Sequence, residues 1–75
     1  MQEARVIRAR RKLSGLSQNQ VSARAKVNRS SYSLFENGHG ELRKEHIPII
    51  RRLIERALLQ RAKELRRFNV VRGQA

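Results

Sequence analysis

Apolar residues recur along this 75-residue chain at intervals of three and four, the spacing of amphipathic helices. Val6, Ile7 and Leu13 place an apolar stripe on a first predicted helix at residues 3–13, which Gly15 ends. No stretch alternates apolar and polar residues at period two, and no hairpin turn signal is found. The pattern therefore predicts an all-α chain.

Two short helices are predicted next, each with its own capping residue. Ser17 and Gln20 have the S-x-x-Q spacing of a capping box, which starts the second helix. Asn28 is a suitable N-cap for a third helix of about nine residues, which ends at the Asn37-Gly38 pair. Two short helices joined by a turn of three to four residues have the spacing of a helix-turn-helix.

A fourth, long helix is predicted from about residue 46 to 67. Pro48 falls in its first turn, where the missing N–H would have no intrahelical partner in any case. The chain is short enough to form a single domain, residues 1–75, with the helix-turn-helix at 17–37. The first half of the fourth helix supplies apolar residues expected to close the core, namely Ile47, Ile50, Leu53 and Ile54.

The third predicted helix has two chemically different faces. At about 100° per residue, one ~140° arc collects short polar side chains with one arginine and one leucine. The large aromatics Tyr32 and Phe35 fall on the opposite side, which predicts that they are buried. Short side chains let a helix backbone approach a DNA groove, where serine, asparagine and arginine can bond to base edges. The residues of the arc are Arg29, Ser30, Ser33, Leu34 and Asn37.

Charge indicates the partner of that face. Eighteen arginines and lysines, fourteen of them arginine, stand against six glutamates and no aspartate, giving a net charge of +12. A polyanion is the expected partner, and nucleic acid is the first candidate. A membrane surface is disfavoured because the three aromatic residues include no tryptophan, and no apolar run approaches the ~20 residues of a bilayer span.

The remaining chemistry argues against an enzyme. The chain has no cysteine, which excludes disulfides and thiolate zinc sites and fits a cytoplasmic location. His39 and His46 lack carboxylate or thiolate companions, so no metal site is expected. No nucleophile with a histidine and an acid is recognisable, and no glycine-rich loop follows a strand. We therefore expect no catalytic residue, no cofactor and no small-molecule ligand.

Residues 16–38 read L-S-Q-x-x-V-x-x-x-A-x-V-x-R-S-x-Y-S-x-F-E-N-G. This pattern resembles the helix-turn-helix of the Cro/C1 (XRE-type) DNA-binding proteins, which include the lambdoid phage repressors. The resemblance is close over residues 5–38 and looser up to about residue 55. It implies a fold of four or five helices; the long C-terminal helix departs from the family, whose members generally have a shorter helix there.

The resemblance also implies roles in binding double-stranded DNA. Gln18 would donate to a phosphate and brace the first residue of the recognition helix. Arg29 would open that helix and reach a base edge, with guanine O6 and N7 the expected acceptors. Further contacts would come from Ser30, Ser33 and Leu34 in the groove and from Lys26, Asn28 and Asn37 at the DNA backbone.

Two other positions have structural implications. In the family the position of Glu36 often pairs with an arginine of the first helix, and Arg11 is the matching residue here. We therefore expect a structural Arg11–Glu36 ion pair and not a catalytic acid. Lys26 occupies a turn position that is usually glycine, so a non-glycine residue is expected at positive φ, at a cost of roughly 1 kcal/mol.

The second half of the fourth helix is more apolar than a free helix would be. A homodimer interface would bury Leu58, Leu65 and Phe68, with two recognition helices ~34 Å apart on DNA. Arginines crowd the same segment at Arg61, Arg66 and Arg67, so a basic helix lying along DNA is the rival interpretation.

The favoured interpretation is a cytoplasmic repressor that occupies an inverted-repeat operator as a homodimer. By analogy, its small size suggests regulation by abundance, as in regulators from phages and other mobile elements. A DNA-tethering adaptor or antitoxin-like protein is the alternative, in which the fourth helix binds a different protein. A basic protein that coats RNA or DNA without sequence preference is the third possibility.

Overall fold

The computed structural model describes the backbone of residues 2–74 and the side chains of residues 3–67. Four helices follow one another along the chain: α1 (Gln2–Ser14), α2 (Gln18–Ala25), α3 (Arg29–Glu36) and α4 (His46–Gln74). Residues 2–74 contain no strand, so the all-α prediction with a long C-terminal helix is confirmed. The last helix extends to Gln74, beyond the predicted end at 67, because no proline follows Pro48 to interrupt it.

Both helices of the central pair begin at their predicted caps. The Ser17 hydroxyl accepts from the Gln20 backbone N–H at 3.0 Å, and the Ser17 N–H donates to Gln20 Oε1 at 2.9 Å. Asn28 Oδ1 accepts from the Ser31 N–H at 3.1 Å. These contacts satisfy N–H groups that have no partner inside the helix, and they fix where α2 and α3 start.

The turn between α2 and α3 depends on a strained lysine. Lys26 has φ 58° and ψ 44°, the left-handed conformation that the sequence analysis expected there. The conformation turns the chain back on α2, so that the Lys26 N–H donates to Ala23 O at 3.2 Å and the Val27 N–H to Ser22 O at 2.9 Å. This pair of bonds is a Schellman motif built without glycine.

The end of α3 has the same motif with glycine in the left-handed position. Gly38 has φ 79°, its N–H donates to Phe35 O at 3.1 Å, and the His39 N–H donates to Leu34 O at 2.8 Å. The chain then passes close to α3 again, since a Cβ on Gly40 would lie 3.1 Å from the Leu34 Cβ. The two turns therefore set both ends of α3.

One hydrophobic core joins the four helices. Helix α4 packs against α1 and α2, and α3 packs against the same two helices. The predicted burial of Tyr32 and Phe35 is confirmed, since their exposed fractions are 0% and 9%. Within the described chain, no helix has a stretch long and apolar enough to span a bilayer. The other buried apolar residues are Ala4, Ile7, Val21, Ala25, Ile50 and Ile54, with Ile47, Leu53 and Leu58 half-buried against them.

The apolar stripe predicted for α1 was wrong at two of its three positions. Ile7 is buried, but Val6 is 47% and Leu13 67% exposed. The buried face of α1 instead includes Arg11 and Ser14, which lie about 160° and 100° from Leu13 around the helix. Because Arg11 and Ser14 are buried, the face of α1 that packs on the core differs from the one that its apolar residues indicated.

Candidate nucleic-acid interface

The outward face of α3 is assembled from the residues that share the predicted arc. Arg29, Ser30 and Asn37 are exposed, Ser33 is half-buried, and Leu34 is 50% exposed. On the other side, the rings of Tyr32 and Phe35 lie 6.4 Å apart between centroids and anchor the helix in the core. The exposed surface of α3 therefore consists mainly of short polar side chains, and its one long cationic side chain, Arg29, lies at the N-terminal end.

Two neighbouring residues, Asn28 and Lys26, complete this surface. Ser31 is also exposed, but at about 200° from Arg29 around the helix it lies outside this surface. Asn28 is exposed, and its side-chain oxygen Oδ1 caps α3. The N–H groups of its side-chain amide therefore remain available to donate to a phosphate. Lys26 is exposed in the turn just before them. The structure thus brings Lys26, Asn28 and Arg29 together at the N-terminal end of α3.

Behind that face, Arg11 and Glu36 form a buried two-point ion pair. Arg11 Nε donates to Glu36 Oε2 at 2.7 Å, and a second guanidinium nitrogen donates to Oε1 at 2.9 Å. The Arg11 guanidinium also donates to the Leu16 carbonyl at 3.0 Å, so it connects α1, the segment before α2 and the end of α3. Such bidentate contacts fix orientation as well as distance.

Gln18 takes part in the same network. Its side-chain amide donates to Glu36 Oε1 at 3.1 Å and not to the first residue of α3, the contact that the family resemblance implied. The carboxylate offers two acceptor oxygens in a fixed position, which explains why the amide at the start of α2 turns toward it. Gln18 still has a second amide N–H available, so the position at the helix start remains suited to a phosphate.

Opposing effects set the pKa of Glu36. Burial raises it, but the hydrogen bond from Arg11, followed by the nearby Tyr32 hydroxyl and the hydrogen bond from Gln18, together outweigh burial and lower the pKa below its ordinary value. The hydrogen bond to Glu36 likewise raises the pKa of Arg11 despite its burial. Glu36 is therefore a fixed anion and has no role as a proton donor at neutral pH.

The Tyr32 hydroxyl lies beside this pair and was not anticipated from the sequence. It is buried, and among the described residues it has no hydrogen-bond partner of acceptable geometry. Burial, followed by the proximity of Glu36, raises the pKa of Tyr32. Only the three-dimensional packing of α3 against α1 shows this contact, because Tyr32 and Arg11 are far apart in sequence.

The residues proposed for dimerisation have different environments. Leu58 is half-buried against the protein's own core, whereas Leu65 is 57% exposed. Leu59, the neighbour of Leu58, is 64% exposed. The Phe68 side chain lies outside the described residues. Of the two candidates whose side chains are described, Leu65 has the larger exposed apolar surface.

Ionisable side chains in the described part of the chain form no group of three that could hold a metal ion. The candidate interface instead consists of a polar helix face and a positively charged turn, with a buried ion pair behind it that joins α3 to α1. A capped helix pair that presents such a face defines a helix-turn-helix DNA-binding domain.

A family model described as Helix-turn-helix matches residues 7–58, which is more than half of the chain. The chain belongs to this family, the XRE or Cro/C1 type, and the predicted membership is confirmed. It is a DNA-binding regulator of the XRE type, a class that is typically non-enzymatic. No match to the chain was found among the curated proteins or the solved structures.

Proposed function

We propose that this chain is a transcriptional repressor that binds an inverted-repeat operator in double-stranded DNA as a homodimer. The observation that carries the proposal is the outward face of α3, where Arg29, Ser30 and Leu34 are exposed while the aromatics are buried. Because most of these side chains are short, the helix can enter the major groove, which is wide enough for one α-helix.

Each residue of the face would have a distinct role in recognition. Arg29 would form two hydrogen bonds with O6 and N7 of a guanine, a contact that discriminates between bases. Ser30 and Ser33 would contact neighbouring base edges, and Leu34 would pack on a thymine methyl group. Contacts with the DNA backbone, which position the helix without reading sequence, would come from Gln18, Lys26, Asn28 and Asn37.

Dimerisation would supply the second half-site. Leu65 in the distal half of α4 is 57% exposed, and a second copy packed along this helix would cover it. Two recognition helices ~34 Å apart would then read two half-sites related by a two-fold axis. Bound in this way, the dimer would block transcription by occupying the operator.

Selection of bound duplexes from a random library at near-physiological salt tests the proposal. The expected result is a two-fold symmetric motif, whose half-site spacing gives the geometry of the dimer. A single, unrepeated half-site would contradict the homodimer, and binding without any motif would contradict sequence-specific repression.

A second candidate function is supported by an open groove along residues 53–65 of α4. The groove has a volume of about 1020 Å³ and combines the apolar side chains of Leu53 and Leu65 with Arg24, Arg56 and Arg61. Apolar side chains among arginines suit an acidic amphipathic helix, so an adaptor that tethers an acidic protein to DNA is the alternative.

The mass of the purified full chain separates the two functions. Sedimentation should give a dimer at micromolar concentration if the chain is a homodimeric repressor. A monomer that binds single half-sites would favour the adaptor, whose operator contacts would depend on a second protein.

A further inference from the structure

Four cations lie in line on the face of α4 that points away from the core. At about 100° per residue they fall within an arc of about 60°, roughly opposite Ile50 and Ile54. All four are exposed, whereas Ile50 and Ile54 are fully buried. We name this surface the basic stripe; its residues are Arg52, Arg56, Lys63 and Arg67.

No acidic residue of α4 lies within the basic stripe. Among the described side chains, none of the four cations forms an ion pair, because Glu55 is turned toward Arg10 of α1 at 3.8 Å. Glu64 lines the groove beside α4, as Arg56 of the stripe also does, and it accepts from Gln60 at 3.5 Å. Residues 46–67 contain seven arginines and lysines against two glutamates, so the positive charge of the stripe is uncompensated.

Helix stability does not account for this arrangement. Arg52 and Arg56 are spaced i,i+4, as are Lys63 and Arg67, and like charges at this spacing weakly destabilise a helix. A face that serves only to keep a helix in solution gains from alternating signs, with glutamate four residues before lysine. A single sign repeated along one line instead matches a linear polyanion.

The dimensions fit the phosphate backbone of a duplex. From Arg52 to Arg67 the stripe is about 22 Å long at 1.5 Å per residue. One strand of DNA presents a phosphate about every 3.4 Å along the axis, so roughly six phosphates pass along this length. The stripe contains no aromatic residue that could stack on bases, which favours contact with phosphates over contact with single-stranded bases.

The stripe and the outward face of α3 point away from the same core. Helices α3 and α4 each pack against α1 and α2, and among the described residues they do not pack against each other. The centre of the stripe lies about 170° around α4 from Leu65, and of its four residues Arg56 alone lines the groove that contains Leu65, so a dimer formed through Leu65 would leave the other three accessible. A straight duplex held by α3 is therefore expected to leave the stripe free for other DNA.

We propose that the basic stripe binds the phosphate backbone of a second DNA duplex, so that one protein assembly bridges two DNA segments. The proposal rests on the proposed function in one respect, since the first segment is held by α3. The second contact would depend on charge and not on sequence, as expected for a surface that reaches only phosphates.

A two-duplex capture assay tests the proposal with the full chain. A duplex from the selection experiment, or the unselected pool if no motif is found, is immobilised and loaded with protein. A labelled duplex of unrelated sequence is then added, and its capture is measured per retained protein. The variant Arg52→Gln/Lys63→Gln is compared with Arg10→Gln/Arg51→Gln, which removes the same charge from residues that form ion pairs with Glu55 and Glu3.

We expect the wild type and the ion-pair control to capture the second duplex, and the stripe variant to lose about tenfold or more of the capture. The slope of log affinity against log salt for the second duplex should also fall by about two, because two phosphate contacts are removed. Retention on the first duplex should stay unchanged. If the wild type is not retained on the first duplex at all, the proposed function fails, and this result is distinct from a failure of the stripe.

Four outcomes would overturn the proposal. The wild type could be retained without capturing a second duplex, or the stripe variant could capture as much as the wild type. Equal loss in both variants would show that capture follows total charge and not the stripe.

In parallel, anionic vesicles of phosphatidylserine and phosphatidylcholine are offered to the same variants. Stripe-dependent binding of vesicles without capture of DNA would assign the surface to membranes and reject the proposal.

Discussion

Arg11 holds Glu36 through two hydrogen bonds of 2.7 and 2.9 Å across 25 residues of sequence. Their side chains are 11% and 0% exposed, so the pair lies behind the face that α3 presents. Glu36 is the last residue of α3, and Gln18 at the start of α2 donates to the same carboxylate. This one carboxylate therefore joins the end of α3 to both α1 and α2.

Removal of one partner should destabilise the fold strongly. Arg11→Met leaves the Glu36 carboxylate buried without its main donor, and we expect a loss of about 3–5 kcal/mol in the free energy of unfolding. The double variant Arg11→Met/Glu36→Met should regain much of that loss, because no buried charge remains. Urea denaturation of the wild type, both single variants and the double variant measures the coupling.

Arg10→Met is the matched control, since its contact with Glu55 is 3.8 Å long and exposed. Exposed pairs contribute at most about 1 kcal/mol, so this variant should remain close to the wild type. A change at Arg11 no larger than that at Arg10 would mean that the buried pair does not hold the helices together.

The same pair should make stability depend on acidity. The pKa of Glu36 in the folded protein lies below its ordinary value of 4.5, so the unfolded chain binds a proton first as the pH falls. The stabilisation is therefore complete above the ordinary value and is lost as the pH falls through the lower, folded value. Denaturation of the wild type and Glu36→Gln as a function of pH should show a stability gap that is constant near neutrality and narrows in acid.

Glu41→Gln serves as the control for that experiment, because Glu41 is exposed. The free energy of unfolding of this variant should vary with pH as that of the wild type does. A gap between the wild type and Glu36→Gln that keeps its full size in acid would contradict the lowered pKa.

Local sequence was sufficient to predict the central helices. Ser17, Gln20 and Asn28 act on backbone groups within three residues of themselves, so their spacing alone indicates where α2 and α3 begin. The burial of Tyr32 and Phe35 also followed from helical periodicity, which separates the two faces of a short helix. These features are local, and a single sequence contains them.

The burial of α1 was not predictable in this way. Its inner face contains Arg11 and Ser14, whose burial requires partners elsewhere in the fold. Arg11 depends on Glu36, and the Ser14 hydroxyl donates to the Arg11 carbonyl at 2.6 Å. A hydrophobic pattern counts such residues as exposed, and so it placed Val6 and Leu13 on the wrong side. The hydrogen bond from Gln18 to Glu36 also joins distant parts of the chain, so the family resemblance alone did not indicate it.

The left-handed lysine in the turn should limit stability. Lys26→Gly removes the steric cost of φ 58°, and we expect a gain of up to about 1 kcal/mol in the free energy of unfolding. Lys26→Ala is the matched control, because it removes the same charge but keeps a Cβ in the strained conformation. Thermal or urea unfolding of both variants measures the difference, and equal stability of the two would show that the turn relieves the strain in another way.

Dimerisation through the distal half of α4 should be sensitive to charge. Leu65→Arg places a cation on a surface that a second, equally basic chain would have to approach, and we expect sedimentation to shift from dimer to monomer. Leu13→Arg is the control, because Leu13 is 67% exposed on α1 and lies outside the proposed interface. An unchanged mass for Leu65→Arg, or an equal shift for Leu13→Arg, would remove Leu65 from the dimer contact.

The role of Arg29 distinguishes base recognition from simple attraction to DNA. If its guanidinium contacts a guanine, Arg29→Ala should weaken binding to the selected operator by about 1–3 kcal/mol and relax the preference at one base position in each half-site. Ser31→Ala is the matched control on the same helix, because Ser31 is exposed but lies outside the proposed contact arc. This variant should leave both the affinity and the base preference unchanged. Titration of both variants against the operator and a scrambled duplex measures the two effects. An equal loss on both duplexes would make Arg29 a phosphate contact, because phosphates are present in every sequence and base edges are not.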